Sequence, residues 1–198
     1  EAGAAATTYV ANALAAGTMI DDAGGAGMDA LRNGKVSALF SGTWDAKNVA
    51  DALGDNYAAA QLPCITINGE QKQMKSFSGS KAFGVNPNTK HMKAAAALAA
   101  FLGSAEMQQL HFDVRSGEVI PCSSSLIASG KFDNNPAAVA QNDTIANTSV
   151  LQPSIAEMGT YWGNAGPMGS ALVNGEINAD NALEMTNKWN DGLNGTGL

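Results

Sequence analysis

The chain has 198 residues, of which 45% are hydrophobic and 15% charged, and its formal net charge is -7. This balance excludes a disordered polymer and predicts a globular chain with one good core or two small lobes. Such an acidic chain lacks the basic footprint of a nucleic-acid-binding protein, and its Ala-rich apolar stretches are too short to span a bilayer.

The chain begins without Met, with the pattern of a helix already in progress. Ala5, Tyr9, Ala13 and Ala16 recur at helical spacing, and Gly17 ends the run. This start favours a fragment cut from a longer protein, and a processed or recombinant start is the alternative.

Segment 35–45 predicts a strand that runs directly into a helix. The apolar run 36–40 is rich in strand formers, the hydroxyls of 41–43 are suited to capping, and Trp44 opens a helix that Gly54 ends. Open α/β sheets bind ligands at the carboxyl ends of their strands. Trp44 is therefore predicted to form one wall of a binding cleft.

The rest of the chain predicts an alternation of strands, helices and pivots. Asn68-Gly69 predicts a hairpin between 65–67 and 73–77, since this dipeptide favours the tight turns of hairpins. The remaining predicted elements are strands at 57–62 and 81–85, helices at 89–102, 104–114, from Pro136, after Pro167 and after Asp180, and pivots at 78–80 and 117–121.

The sequence offers little support for an enzyme. His91 and His111 stand outside any known nucleophile arrangement, and no metalloprotease, phosphate-loop or dinucleotide motif occurs, so no cofactor or metal is predicted. Asp45 and Glu157 remain as a possible carboxylate pair of a glycoside hydrolase. A carboxylate in the first turn of a helix, however, also simply favours the helix dipole.

Cys64 and Cys122 each follow a proline, and their spacing fits no zinc motif. An even pair is compatible with a disulfide and equally with two free thiols, so both alternatives stay open.

The aromatic residues indicate the kind of ligand. Trp44 and Trp162 both lie near Gly, Ser and Thr at element junctions, Tyr161 adjoins Trp162, and Trp189 fits the buried face of the last helix. Aromatic faces beside small polar groups suit sugars, whose C–H faces stack on rings while their hydroxyls form hydrogen bonds. The alternative is that both tryptophans belong to the core.

The stretch GKVSALFSGTW at 34–44 resembles the GK-A-M-x-x-G-x-W segment of the maltose-binding-protein-like proteins of ABC importers, extracellular solute-binding family 1. Further matches cover essentially the whole chain, and their order and spacing are specific although each match is short. They are Asn56-Tyr57 with Leu62-Pro63, then 78–85, 93–95 running to 101–102, 106–108, 119–121 and 158–162.

The resemblance implies an α/β fold of the type II periplasmic-binding-protein class, in which two lobes joined by crossing strands enclose the ligand. The chain would be the carboxyl-terminal part of such a protein and would lack half of the cleft. Residues 1–76 and 123–198 would form the carboxyl-terminal lobe. Residues 77–122 would hold the hinge crossings and a segment of the amino-terminal lobe.

By resemblance, Trp44 and Trp162 would stack on the sugar, with Tyr161 beside the second ring, and Asp45 and Ser80 would contact hydroxyls. One position departs from maltose-binding protein: Gly166 stands where that protein has a basic residue one helical turn after the second tryptophan. This departure argues against maltose itself as the ligand.

The implied function is capture of an oligosaccharide outside the cytoplasmic membrane, in the periplasm or as a cell-surface lipoprotein, and its delivery to ABC permease subunits, without catalysis. The alternatives are a carbohydrate-active hydrolase that uses Asp45 and Glu157, and an interaction module with no small ligand. Helix 90–102 would lack its partner sheet in this chain, which predicts self-association or segment exchange. Without half of the cleft, the chain alone is predicted to bind sugar weakly or not at all.

Overall fold

The computed structural model describes residues 1–115 and 117–195. The helices are α1 (Ala2–Ala15), α2 (Ala26–Arg32), α3 (Ala46–Leu53), α4 (Met92–Leu102), α5 (Ala105–Val114), α6 (Ser124–Ala128), α7 (Pro136–Asp143), α8 (Met158–Val173) and α9 (Ala182–Leu193). The strands are β1 (Cys64–Ile67), β2 (Glu70–Gln73), β3 (Ser76–Ser78) and β4 (Ser149–Leu151).

The chain groups into two compact units. The first unit contains Glu1–Val36, Cys64–Gln73 and the described residues from Pro153 onward, and the second contains Ser37–Pro63 and Met74–Gln152. These groupings concern contacts within this chain alone, so the predicted assignment of residues 1–76, 77–122 and 123–198 to the lobes of a longer protein stays a prediction.

In the first unit, α1 packs against α9 along a stripe of small residues. Ala4, Thr7 and Ala11 are buried, and the hydroxyls of Thr7 and Thr186 share a hydrogen bond of 2.9 Å. The helix predicted at the start of the chain is confirmed. Its buried stripe differs from the predicted one, since Ala5, Tyr9 and Ala13 are half-buried and Ala16 is exposed.

The first unit also contains the hairpin of β1 and β2, which pair antiparallel from Cys64↔Gln73 to Ile67↔Glu70. Asn68 and Gly69 have φ values of 52° and 81°, as the two central residues of a type I′ turn require. The predicted turn and first strand are confirmed, but the predicted second strand at 73–77 is wrong: the partner of β1 is Glu70–Gln73, and Ser76–Ser78 pairs with β4 instead.

In the second unit, β3 pairs with β4 in parallel, and a small core forms around α7. Phe132 and Thr148 are buried there, and Phe132 packs against Phe112 with ring centroids 4.5 Å apart. The predicted helix starts are confirmed at two positions. Ser104 and Asn135 accept backbone N–H groups of the first turns of α5 and α7.

Three predicted strands, at 36–40, 57–62 and 81–85, are wrong for the described residues, where these segments are irregular. A strand needs a hydrogen-bonded neighbour, and the described strands pair only as β1 with β2 and β3 with β4. Phe40, at the end of the first of these runs, is 56% exposed. Trp44 therefore does not follow a sheet strand.

Helix α8 also differs from the prediction, because it starts at Met158 and runs through Pro167 without a break. The helix was predicted only after Pro167, because a proline inside a helix removes one backbone hydrogen bond. Among the described residues no helix combines the length and the hydropathy that crossing a membrane requires.

Candidate functional site

Trp44 lies in a 3-10 turn, Thr43–Asp45, that leads into α3, and its side chain is 68% exposed. Its six-membered ring lies against Gly42. A Cβ built on Gly42 would come within 2.2, 2.3 and 2.5 Å of Trp44 Cζ3, Cη2 and Cε3. The indole is therefore held against the backbone on one side while most of its surface faces solvent.

The turn beneath Trp44 is closed by Asp45. The backbone N–H of Asp45 donates to the carbonyl of Gly42 at 3.1 Å, and the Ser41 hydroxyl donates to the Asp45 carboxylate. The hydroxyls of 41–43 were predicted to cap the helix, but no side chain caps either segment. Ser41 instead holds the carboxylate predicted to contact a ligand hydroxyl.

Trp162 lies on α8 and is 52% exposed. The half-buried ring of Tyr161 meets it edge-on, with centroids 5.0 Å apart and an interplanar angle of 85°. Tyr161 also packs against Trp189 of α9 at 5.7 Å and 63°. Trp189, predicted to belong to the core, is half-buried, and its indole nitrogen has no hydrogen-bond partner among the described residues.

The predicted site residues fall into two groups. Trp44, Asp45 and Ser80 belong to the second compact unit, where Ser80 is exposed shortly after β3. Tyr161 and Trp162 belong to the first unit. Within each unit the aromatic residues are brought to the surface, while Ser80 lies in a separate, irregular segment.

Sequence reasoning missed two residues that shape these surfaces. Gly42 was interpreted only as part of a turn, and Trp189 only as core. A glycine two positions before an exposed tryptophan is a usable signal, since its missing side chain leaves room for a ring. The contact of Trp189 with Tyr161 depends on the packing of α8 against α9 and has no local signal.

A surface groove of about 350 Å³ lies beside α3 and the start of α7. Lys47 and Asp51 form an ion pair of 2.5 Å at its edge, and this hydrogen bond, more than the carboxylate charge, raises the pKa of Lys47. Burial raises the pKa of Tyr57, which also lines the groove. None of the predicted site residues lines it.

The two carboxylates considered for catalysis belong to different compact units. Asp45 belongs to the second unit and the exposed Glu157 to the first. Cys64 and Cys122 are exposed free thiols. Across residues 1–115 and 117–195, no three His, Cys, Asp or Glu side chains are grouped so that they could hold a metal ion.

Comparisons with known proteins identify the class of the chain. The family model described as bacterial extracellular solute-binding protein matches residues 1–141. The galactooligosaccharide-binding protein of Bacillus subtilis (strain 168) is 28% identical over 151 residues, which are 76% of this chain and 34% of that protein.

Two solved structures share the fold. A protein structure with acarbose is 38% identical with a TM-score of 0.89, over 98% of this chain and 51% of the other. A ligand-free maltodextrin-binding protein, MalE1 from L. casei BL23, is 27% identical with a TM-score of 0.66, over 84% of this chain and 45% of the other.

The chain thus spans about a third of the curated relative and about half of each matched structure. These matches confirm the predicted fold class, a mixed α/β chain that corresponds to part of a periplasmic-binding-protein-like fold. The family match extends over more than two thirds of the chain. The chain belongs to the family of bacterial extracellular solute-binding proteins.

Proposed function

We propose that the full-length protein containing this chain binds an oligosaccharide outside the cytoplasmic membrane and delivers it to the permease of an ABC importer. Relatives named for galactooligosaccharide and maltodextrin, and a similar structure with acarbose, support a carbohydrate ligand. The description of the family as extracellular supports the location.

The observation that carries the proposal is the exposure of two large aromatic side chains. Trp44 is 68% exposed and Trp162 is 52% exposed, so neither indole belongs to the buried core of its unit. An exposed indole face is available to a ligand, and a sugar ring presents C–H groups that fit such a face.

Each candidate residue has a distinct proposed role. Trp44 and Trp162 would stack on sugar rings, and Tyr161 would extend the second aromatic surface. Asp45 would accept hydrogen bonds from sugar hydroxyls while Ser41 holds its carboxylate in place. Ser80, exposed after β3, would contribute a further hydroxyl contact.

The test is calorimetric titration of the full-length protein with acarbose, a maltodextrin and a galactooligosaccharide. We expect saturable binding of at least one of these compounds, with no release of new reducing ends during prolonged incubation. Absence of heat with all three carbohydrates would contradict the proposal and favour an interaction module without a small ligand.

The same incubation addresses a carbohydrate-active hydrolase. That function requires measurable turnover that is lost in Asp45→Asn and in Glu157→Gln, since a glycoside hydrolase needs both of its carboxyl groups. We expect no turnover, because the matched family and the curated relative are described as binding proteins.

A further inference from the structure

We propose that Gly42 is a positioning residue for Trp44. Because Gly42 has no side chain, it leaves the space that the indole ring of Trp44 occupies. The inference rests on the proposed function for its consequence, sugar affinity. Its structural core, the orientation of the ring, is independent of any ligand.

The geometry leaves no room for a larger residue at this position. A Cβ on Gly42 would lie 2.2 Å from Trp44 Cζ3 and 2.3 Å from Cη2. Ordinary carbon–carbon contacts are about 3.5–4.0 Å, so these distances are deep inside the repulsive range. Three atoms along one edge of the six-membered ring lie within 2.5 Å of that point, so the ring would have to move away to make room for a side chain.

The requirement for glycine is one of space and not of backbone conformation. Gly42 has φ -119° and ψ -178°, an extended conformation that any residue adopts. In contrast, several other glycines of the chain, such as Gly54 at φ 55°, have positive φ values that side chains disfavour. The need for glycine at position 42 is therefore explained by the Trp44 ring that lies over it.

The backbone beneath the ring is held by two hydrogen bonds. The Gly42 carbonyl accepts the Asp45 N–H at 3.1 Å, and Ser41 bonds the Asp45 carboxylate across the same turn. A side chain at position 42 would consequently displace the indole and not the turn. The wild-type arrangement fixes the ring before a ligand arrives, which reduces the ordering that binding requires.

The experiment compares Gly42→Ala with Gly103→Ala in the full-length protein. Gly103 belongs to the same compact unit and has φ -87°, and its added Cβ would have neighbours at 3.4 and 4.0 Å, ordinary contact distances. The indole N–H signal of Trp44 in a proton–nitrogen correlation spectrum, assigned with Trp44→Phe, reports ring orientation without ligand.

We expect Gly42→Ala to shift the Trp44 signal and to weaken acarbose binding about three- to tenfold, the range expected for a displaced stacking partner. Gly103→Ala should change neither quantity. In a Trp44→Leu background, Gly42→Ala should cost no further affinity, because the two positions act through one contact.

Three results would overturn the inference: an unmoved Trp44 signal in Gly42→Ala, an equal shift in Gly103→Ala, or full additivity with Trp44→Leu. Failure of the proposed function gives a different pattern, since acarbose would then not bind the wild-type protein while the Trp44 signal still moved.

Discussion

Tyr161 joins the exposed Trp162 to the half-buried Trp189, so the second aromatic surface depends on α9 as well as on α8. The indole nitrogen of Trp189 is buried without a partner among the described residues. A buried unpaired donor costs about 1–3 kcal/mol, so the contribution of Trp189 must come from its ring. We infer that this ring holds Tyr161 against Trp162.

Replacing Trp189 by Leu should therefore lower the free energy of unfolding by about 1–3 kcal/mol, through lost burial and a lost aromatic pair. It should also shift the indole N–H signal of Trp162. Trp189→Phe, which keeps a ring and removes the unpaired N–H, should shift that signal less. Chemical denaturation and a proton–nitrogen correlation spectrum measure the two effects.

Thr186→Val is the control, because it weakens the attachment of α9 to α1 through the Thr7 hydrogen bond and leaves the aromatic rings unchanged. It should lower stability by about 1 kcal/mol without moving the Trp162 signal. Equal shifts of that signal in Thr186→Val and Trp189→Leu would show that any loosening of α9 has the same effect.

At the scale of elements, α8 combines a long run with unusually many glycines. Gly159, Gly163, Gly166 and Gly169 all lie in this helix, and a Cβ added at any of them would meet no atom within 4 Å apart from the helix's own neighbouring backbone. Glycine inside a helix costs roughly 0.5–1 kcal/mol relative to alanine. The helix is therefore far from its own optimum of stability.

Gly169→Ala should raise the free energy of unfolding of the 198-residue chain by about 0.5–1 kcal/mol, measured by urea denaturation. Gly117→Ala is the contrasting variant. Gly117 has φ 82°, and its Cβ would lie 2.6 Å from Asn135 Nδ2, so this change should destabilise. A lower stability of Gly169→Ala would show that α8 is packed differently.

Elements that depend on interactions between residues close in sequence were predictable. Elements that depend on pairing with residues far away in the sequence were not. The Asn68-Gly69 turn and the starts of α5 and α7 depend on residues within a few positions of each other, and they formed as predicted. The run at 36–40 has strand-forming residues but no pairing strand among the described residues. Its local preference therefore did not decide its structure.

The same distinction holds for the site. Trp44 and Trp162 are both exposed, and their role as stacking surfaces, which the sequence pattern and the resemblance indicated, stays a prediction. The position of the Trp44 ring over Gly42 was not predictable, because a turn pattern in the sequence does not determine the orientation of a neighbouring side chain.

At the scale of the whole molecule, α4 and α5 leave large apolar side chains in water. Leu98 is 57% exposed, Phe101 52% and Val114 70%. Exposed apolar surface of this kind favours association, and a second copy carries the same surface. We therefore expect the 198-residue chain to self-associate with increasing concentration.

Leu98→Asp should shift this equilibrium toward the monomer, measured by light scattering over a concentration series. Leu183→Asp on α9 is the matched control, because Leu183 is 55% exposed and lies outside α4 and α5. A wild-type chain that remains monomeric throughout the series would contradict the expectation.

The most direct test of the central claim is calorimetric titration of the full-length protein, its Trp44→Ala and Trp162→Ala variants and the control Leu183→Ala, with the carbohydrate that binds the wild type. Loss of a stacking surface predicts that each tryptophan variant binds about tenfold more weakly or worse, with Leu183→Ala unchanged. Wild-type affinity in both tryptophan variants would contradict the account, because the sugar would then be held without either indole ring.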